Sequence, residues 1–202
     1  MREQNQPKAI EAIQGGEKVP PAPVVVQLAQ DFLRAGNLYE ACSVVLQYAV
    51  KTTESEYGFF SVTMEGPYER LLVTEGFHWH PTTNRKFYDD SMQSFKRLGY
   101  LDFHNMANLA GRPMTHNEAV LSNSPANDPR AGGTPAGHPP LNCFLGTPFR
   151  KDGAVVAVIG LANRPGGYSA TEQSQVEMLE EAARAIAEEY QLKRQAASAT
   201  GS

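Results

Sequence analysis

Cysteine is nearly absent from this 202-residue chain: Cys42 and Cys143 are the only two. Two cysteines make no disulfide framework and point to a reducing, cytoplasmic setting. Long apolar runs are missing as well. None approaches the roughly 20 residues that span a bilayer, and the polar start MREQNQPKAIEAIQ lacks the apolar centre of a signal peptide. Charge of one sign is not in excess. With 18 Lys and Arg against 22 Asp and Glu, the net charge of −4 gives no electrostatic footprint for nucleic acid or an anionic membrane. No internal repeat is visible. What remains is the composition of a soluble domain, 41% apolar and 20% charged, long enough to bury one core without a disulfide or structural metal.

Residues 1–23 form a polar lead-in, stiffened by the prolines of VPPAP. A helical pattern starts at Val24 and breaks at AGN, where Asn37 and Glu40 read as a capping box for a second helix. That helix carries Leu38, Cys42, Val45, Leu46 and Ala49 on one face. YGFFSVTMEG and ERLLVTEGF read as two strands joined by the turn EGPYE. A helix follows from about Thr83 to Tyr100, then a short one through FHNMANLA, and RPMTHNEAVLSN reads as a bend entering a short strand. Residues 123–140 carry five prolines with glycines between them, which excludes regular structure; a loop this long is usually functional or mobile.

The last third is clearest. NCFLGTPF and AVVAVIGLAN are apolar strands separated by RKDG, a hairpin turn with Gly153 suited to positive φ. Ser169 and Glu172 form a second capping box. The final helix repeats Val176, Leu179, Ala183, Ile186 and Tyr190 at spacings of three and four, a heptad-type seam. Residues 196–202 read as a small, polar, irregular tail. Helix, hairpin, helices, long loop, hairpin and helix in that order predict an α+β fold on an antiparallel sheet.

Several motif pieces occur in sequence: Asn123, Asp128-Pro129-Arg130, Gly137-His138-Pro139-Pro140, Leu145-Gly146-Thr147-Pro148, Gly160-Leu161-Ala162-Asn163-Arg164 and Gly166-Gly167-Tyr168. In these the chain resembles GAF domains, particularly those attached to bacterial histidine kinases and diguanylate cyclases. The match is strongest over residues 117–170, and the domain itself is expected over residues 24–195. The resemblance implies a PAS-related central antiparallel sheet with the terminal helices on one face and the middle helices and long loop on the other. It also implies a small-molecule site under residues 123–140, and terminal helices that pair between subunits and pass a signal onward.

Each residue of interest has a bland reading beside the functional one. His138 and Cys143 stand five apart, a spacing that suggests a base and nucleophile, but an extended Pro-Pro segment holds them too far apart for that. Cys143 reads as a small apolar core residue. His138 reads equally as a loop pin and as a ligand contact. Arg130 is expected to pair with Asp128 and hold the loop, with a ligand carboxylate or phosphate as its other reading. Phe103, Asn105 and Asn108, with Leu109, stand at helical spacing in a segment that family position puts on the pocket face; the two asparagines serve either a ligand or the loop. Asn123 joins this set through the family motif. His78 and His80 around Trp79, with His104 and His116, lack the partners that complete a metal site.

The expectation is therefore a cytoplasmic, homodimeric regulatory domain that binds a small molecule non-covalently and acts on a signalling output protein or domain, with neither nucleic acid nor membrane as partner. The pairing surface is expected at Val176, Leu179, Ala183, Ile186 and Tyr190. No cofactor is required by the sequence: haem has no distinguishable proximal His, and a bilin would need a Cys usually followed by His, whereas Phe144 follows Cys143. The competing readings are an interaction module with a vestigial pocket and a redox enzyme working through Cys143.

Overall fold

In the computed structural model, which describes residues 22–64, 68–76, 85–134 and 138–200, the chain opens with two helices, α1 (Ala22–Arg34) and α2 (Leu38–Thr52). Asn37 caps α2 by accepting the Glu40 N–H at 3.0 Å, while the Glu40 carboxylate reaches back to the Gly36 N–H at 2.7 Å. Strands β1 (Tyr57–Thr63) and β2 (Glu69–Glu75) form an antiparallel pair. Helix α3 (Arg85–Leu98) leads to β3 (Leu101–Phe103), α4 (Arg112–His116) and β4 (Val120–Ser122). A 3-10 turn at Pro125–Asn127 begins the long loop, and β5 (Phe144–Lys151), β6 (Ala154–Ala162) and α5 (Ala170–Thr200) complete the chain.

The six strands form one antiparallel sheet in the order β3-β2-β1-β6-β5-β4. The α+β architecture read from the element order is the one observed. Asp152 and Gly153, with φ of 52° and 81°, form the two-residue link from β5 to β6. Both values are positive, as the tight hairpin requires, and Gly153 adopts this at no steric cost.

One face of the sheet carries the main core. Leu28 of α1, Cys42, Leu46 and Ala49 of α2, and Val176, Leu179 and Ala183 of α5 pack on Phe60, Leu145, Ile159 and Leu161. Alternation sends their neighbours to the opposite face, where Phe144, Val120 and Leu109 form a smaller cluster with Phe59 and Leu141. A bulge between Phe60 and Ser61 leaves Leu72 unpaired, so Leu72 and Val73 both face the main core before alternation resumes. Among the described residues, no helix is long and apolar enough to cross a membrane.

Three local expectations are corrected. FHNMANLA is not helical: β3 ends at Phe103 and a series of turns follows, while the helix begins at Arg112. Asn105 and Asn108 hold those turns by bonding nearby backbone, the competition with helix that Asn favours. The last helix runs through 196–200, read from sequence as irregular, to Thr200; alanine is the best helix former, and three of those five residues are alanine. Val176 and Leu179 are fully buried and Ala183 nearly so in the chain's own core, so the pairing surface expected there is consumed by packing against the sheet. The side chains of Ile186 and Tyr190, the segment HWH, residues 65–67 of the turn EGPYE, Gly137 and the start of the lead-in lie outside the described residues.

Candidate functional site

The second face of the sheet is hollow. A cavity of about 660 Å³ lies between β1, β2 and β6 on one side and β3, the turns at 105–111 and the loop residues 125–134 and 138–141 on the other. Its walls are largely apolar and aromatic, with Tyr57, Phe59, Phe95, Phe103 and Phe144 contributing rings. Gly160 forms part of the floor: the Phe59 ring lies where its Cβ would stand, so only glycine lets that ring lie flat against the sheet. A concave, largely apolar chamber with a few polar groups is the usual form of a small-molecule site.

The loop is fastened at several points. Arg130 makes a bidentate pair with Asp128, Nε to Oδ1 at 2.9 Å and Nη2 to Oδ2 at 2.8 Å, and Nη2 also donates to the Leu121 carbonyl at 2.8 Å. The Arg130 pair, together with a hydrogen bond from Ser122, holds the Asp128 carboxyl well below its ordinary pKa. Asn123 binds the backbone of Tyr168 from both sides of its amide. At the far end of the loop, Asn163 accepts from the Asn142 N–H at 2.8 Å and donates to the Pro140 carbonyl at 2.8 Å and to Glu56 at 2.7 Å. Its φ of 61° is the left-handed conformation Asn tolerates best among non-glycine residues.

His138, Asn105, Asn108 and Phe103 line the cavity; Asp128, Arg130 and Asn123 do not and hold the loop instead. His138 Nδ1 lies 2.7 Å from the Pro139 carbonyl, which can only accept, so the proton sits on Nδ1. Burial lowers the ring's pKa against that hydrogen bond and keeps it neutral. Its ring meets Tyr57 edge-on at 6.2 Å between centroids. Asn108 donates to the Asn105 carbonyl at 2.8 Å and accepts from the Gly111 N–H at 2.9 Å, so both asparagines brace the cavity wall.

Cys143 turns the other way. It is 5% exposed, belongs to the main core, and its Sγ points to the Arg164 carbonyl at 3.5 Å. Burial pushes its thiol pKa up, and pushes that of Cys42 up to about 12. Both thiols are thus protonated and enclosed, the reverse of an activated nucleophile. Among the described residues no three His, Cys, Asp or Glu side chains converge as a metal site would need.

One polar wall residue was not singled out from the sequence. Glu69, at the start of β2, is 3% exposed and lines the cavity beside Ser61, whose hydroxyl donates to Glu69 Oε2. The other oxygen, Oε1, is buried and has no hydrogen-bond partner among the described residues. Burial raises the Glu69 pKa to about 7 against the lowering effect of the Ser61 bond. The signal was available in ERLLVTE: Glu69 is in phase with Leu71, a carboxylate on the apolar beat of a strand.

Comparison with known proteins follows the same outline. A family model described as a GAF domain matches residues 35–188. No curated protein matches the chain in sequence. Among solved structures, the chain is similar to the GAF domain of a phosphoenolpyruvate-protein phosphotransferase from Coxiella burnetii, with 16% identity, TM-score 0.63, and 85% of this chain and 95% of that one covered. The corresponding domain from Acinetobacter gives 15% identity, TM-score 0.61, and 83% and 93% coverage. The free methionine-R-sulfoxide reductase of Neisseria meningitidis, solved with its substrate, gives 11% identity, TM-score 0.58, and 86% and 89% coverage. At such identities the likeness is one of fold.

Proposed function

The chain belongs to the GAF domain family, whose members are generally ligand-binding or regulatory modules, and on that premise we propose that it is a sensor domain holding a small molecule non-covalently in the cavity on the second face of its sheet. The observation that carries this reading is the cavity itself: about 660 Å³ remains open, walled by aromatic rings and roofed by a loop with its own fastenings. A vestigial pocket would be filled by its own side chains.

The loop supplies a route outward. Asn123 joins it to Tyr168, directly before the capping box in which Glu172 accepts from the Ser169 N–H at 2.8 Å. A ligand that binds one loop arrangement better than another would bias the start of α5. Pairing of two chains would then fall to the part of α5 beyond Ala183. The motif run from Asn123 to Tyr168 supports a role as the input module of a bacterial signalling histidine kinase or diguanylate cyclase in a reducing cytoplasm. A non-catalytic role is supported by two enclosed, protonated thiols that face the core and not the cavity.

Native mass spectrometry of the protein purified from its source tests this, followed by a thermal-shift screen of metabolite classes. A co-purifying small molecule, or a class that raises the melting temperature, is the expected result. No adduct and no stabilisation by any class would overturn the reading.

A further inference from the structure

The cavity's polar groups are unequal in a way that selects a ligand class. Among its described lining residues are one carboxylic acid, Glu69, and no lysine or arginine. The nearby Arg130 is engaged by Asp128 and the Leu121 carbonyl. A carboxylate or phosphate ligand would meet no cation among the described lining residues, and would sit against an acid.

Glu69 is also the wall's unfinished hydrogen-bonding group. The Ser61 hydroxyl, diagonally across the β1–β2 pair, fixes Oε2 and leaves Oε1 buried without a partner among the described residues. An unsatisfied buried oxygen of this kind is costly, more so if charged, and a hydrogen-bond donor on a ligand would recover that cost. The rings of Tyr57, Phe59, Phe95, Phe103 and Phe144 surround the same chamber. Aromatic faces attract cations, most strongly where water is excluded.

Resting on the reading of this cavity as a ligand site, we propose that the ligand is an organic cation, an ammonium group on an apolar body, and that Glu69 is its counter-ion. The ammonium donates to Oε1 while Ser61 keeps the carboxylate in place, and the apolar body lies against the rings. Because burial holds the unliganded carboxyl near neutrality, binding at or below pH 7 expels its proton to the buffer. The other titratable groups on the described wall are Tyr57, whose phenol burial keeps protonated, and His138, kept neutral.

Isothermal titration of the full chain at pH 7 tests this with three matched pairs: phenethylammonium and 2-phenylethanol, tryptammonium and tryptophol, hexylammonium and hexanol. In the wild type, at least one ammonium is expected to bind ten-fold or more tightly than its alcohol. Its binding enthalpy should vary with the ionisation enthalpy of the buffer, which reports proton release without any variant. Glu69→Gln should abolish the preference and keep the alcohol. Equal binding of both members of each pair overturns the counter-ion role and leaves the cavity reading standing. Binding of neither member of any pair also overturns it, and the co-purified mass from native protein then decides separately whether the cavity is a ligand site.

Discussion

Asn123 and the backbone of Tyr168 exchange two hydrogen bonds: the side-chain amide donates to the Tyr168 carbonyl at 2.9 Å and its oxygen accepts the Tyr168 N–H at 2.8 Å. The pair lies 45 residues apart in sequence, so this contact belongs to tertiary structure. Asn123→Ala leaves both backbone groups partly buried and unpaired, and about 1–3 kcal/mol of stability should be lost in urea denaturation. Asn123→Asp keeps the acceptor and loses the donor, so it should fall between the two. An alanine variant as stable as wild type would show that water replaces the amide without cost.

Glu69 predicts an unusual pH dependence. Its folded pKa of about 7 lies above the ordinary 4.5, so the folded chain holds this proton after the unfolded chain has released it. The contribution is most favourable below pH 4.5, declines as pH rises, and levels off above about 7. A shift of this size corresponds to roughly 3 kcal/mol at most. Glu69→Gln should flatten that decline, and the difference between the two unfolding curves from pH 4.5 to 8 measures it.

Asp128 acts with the opposite sign. Arg130 and Ser122 depress its folded pKa below the ordinary 3.8, so its stabilisation is complete above that value and is lost as pH falls through the folded one. Asp128→Asn should cost about 1.5–3 kcal/mol at pH 7, the usual range for hydrogen bonds to a charged group. The cost should vanish in strong acid. Faster proteolysis within 123–134 is the accompanying sign that the loop has lost its pin.

Gly160→Ala places a methyl group in the space of the Phe59 ring. The ring must turn into the cavity, which both strains the sheet and reduces the chamber. A loss of about 1–3 kcal/mol is expected, together with weaker binding of any cavity ligand. Unchanged binding would mean that Phe59 moves elsewhere.

Cys42 and Cys143 should be inert toward a thiol reagent in the native protein and react only on unfolding, since both are about 5% exposed and protonated. Rapid native alkylation of Cys143 at neutral pH would revive a redox reading.

Much of this fold was legible because its signals are local. The capping residues Asn37 and Ser169, the Asp152-Gly153 turn and the apolar runs of β5 and β6 each act through neighbours a few residues away. The corrections arise where distant packing decides. Nothing in the seam Val176, Leu179 and Ala183 tells whether its apolar face meets this chain's sheet or another chain's helix. The polar side of the site was hidden for a related reason: Glu69 matters through Ser61, eight residues away across a strand pair, and through a cavity wall drawn from β1 to β6. Asn105 and Asn108 looked helical by spacing, yet their amides hold turns.

The bulge opposite Phe60 and Ser61 works as a frameshift within a strand. Up to Leu71 the odd-numbered residues of β2 face the chamber; after Leu72 the even-numbered Thr74 does. Deleting Leu72 would restore a regular ladder without exchanging the two faces, because it removes one core residue and nothing from the chamber. Inserting a residue before Leu71 would instead send Glu69 toward the packed helices. Among the described residues the chamber's one acid is therefore defined by its count from Leu71, and β2 tolerates a length change on one side of that residue but not on the other.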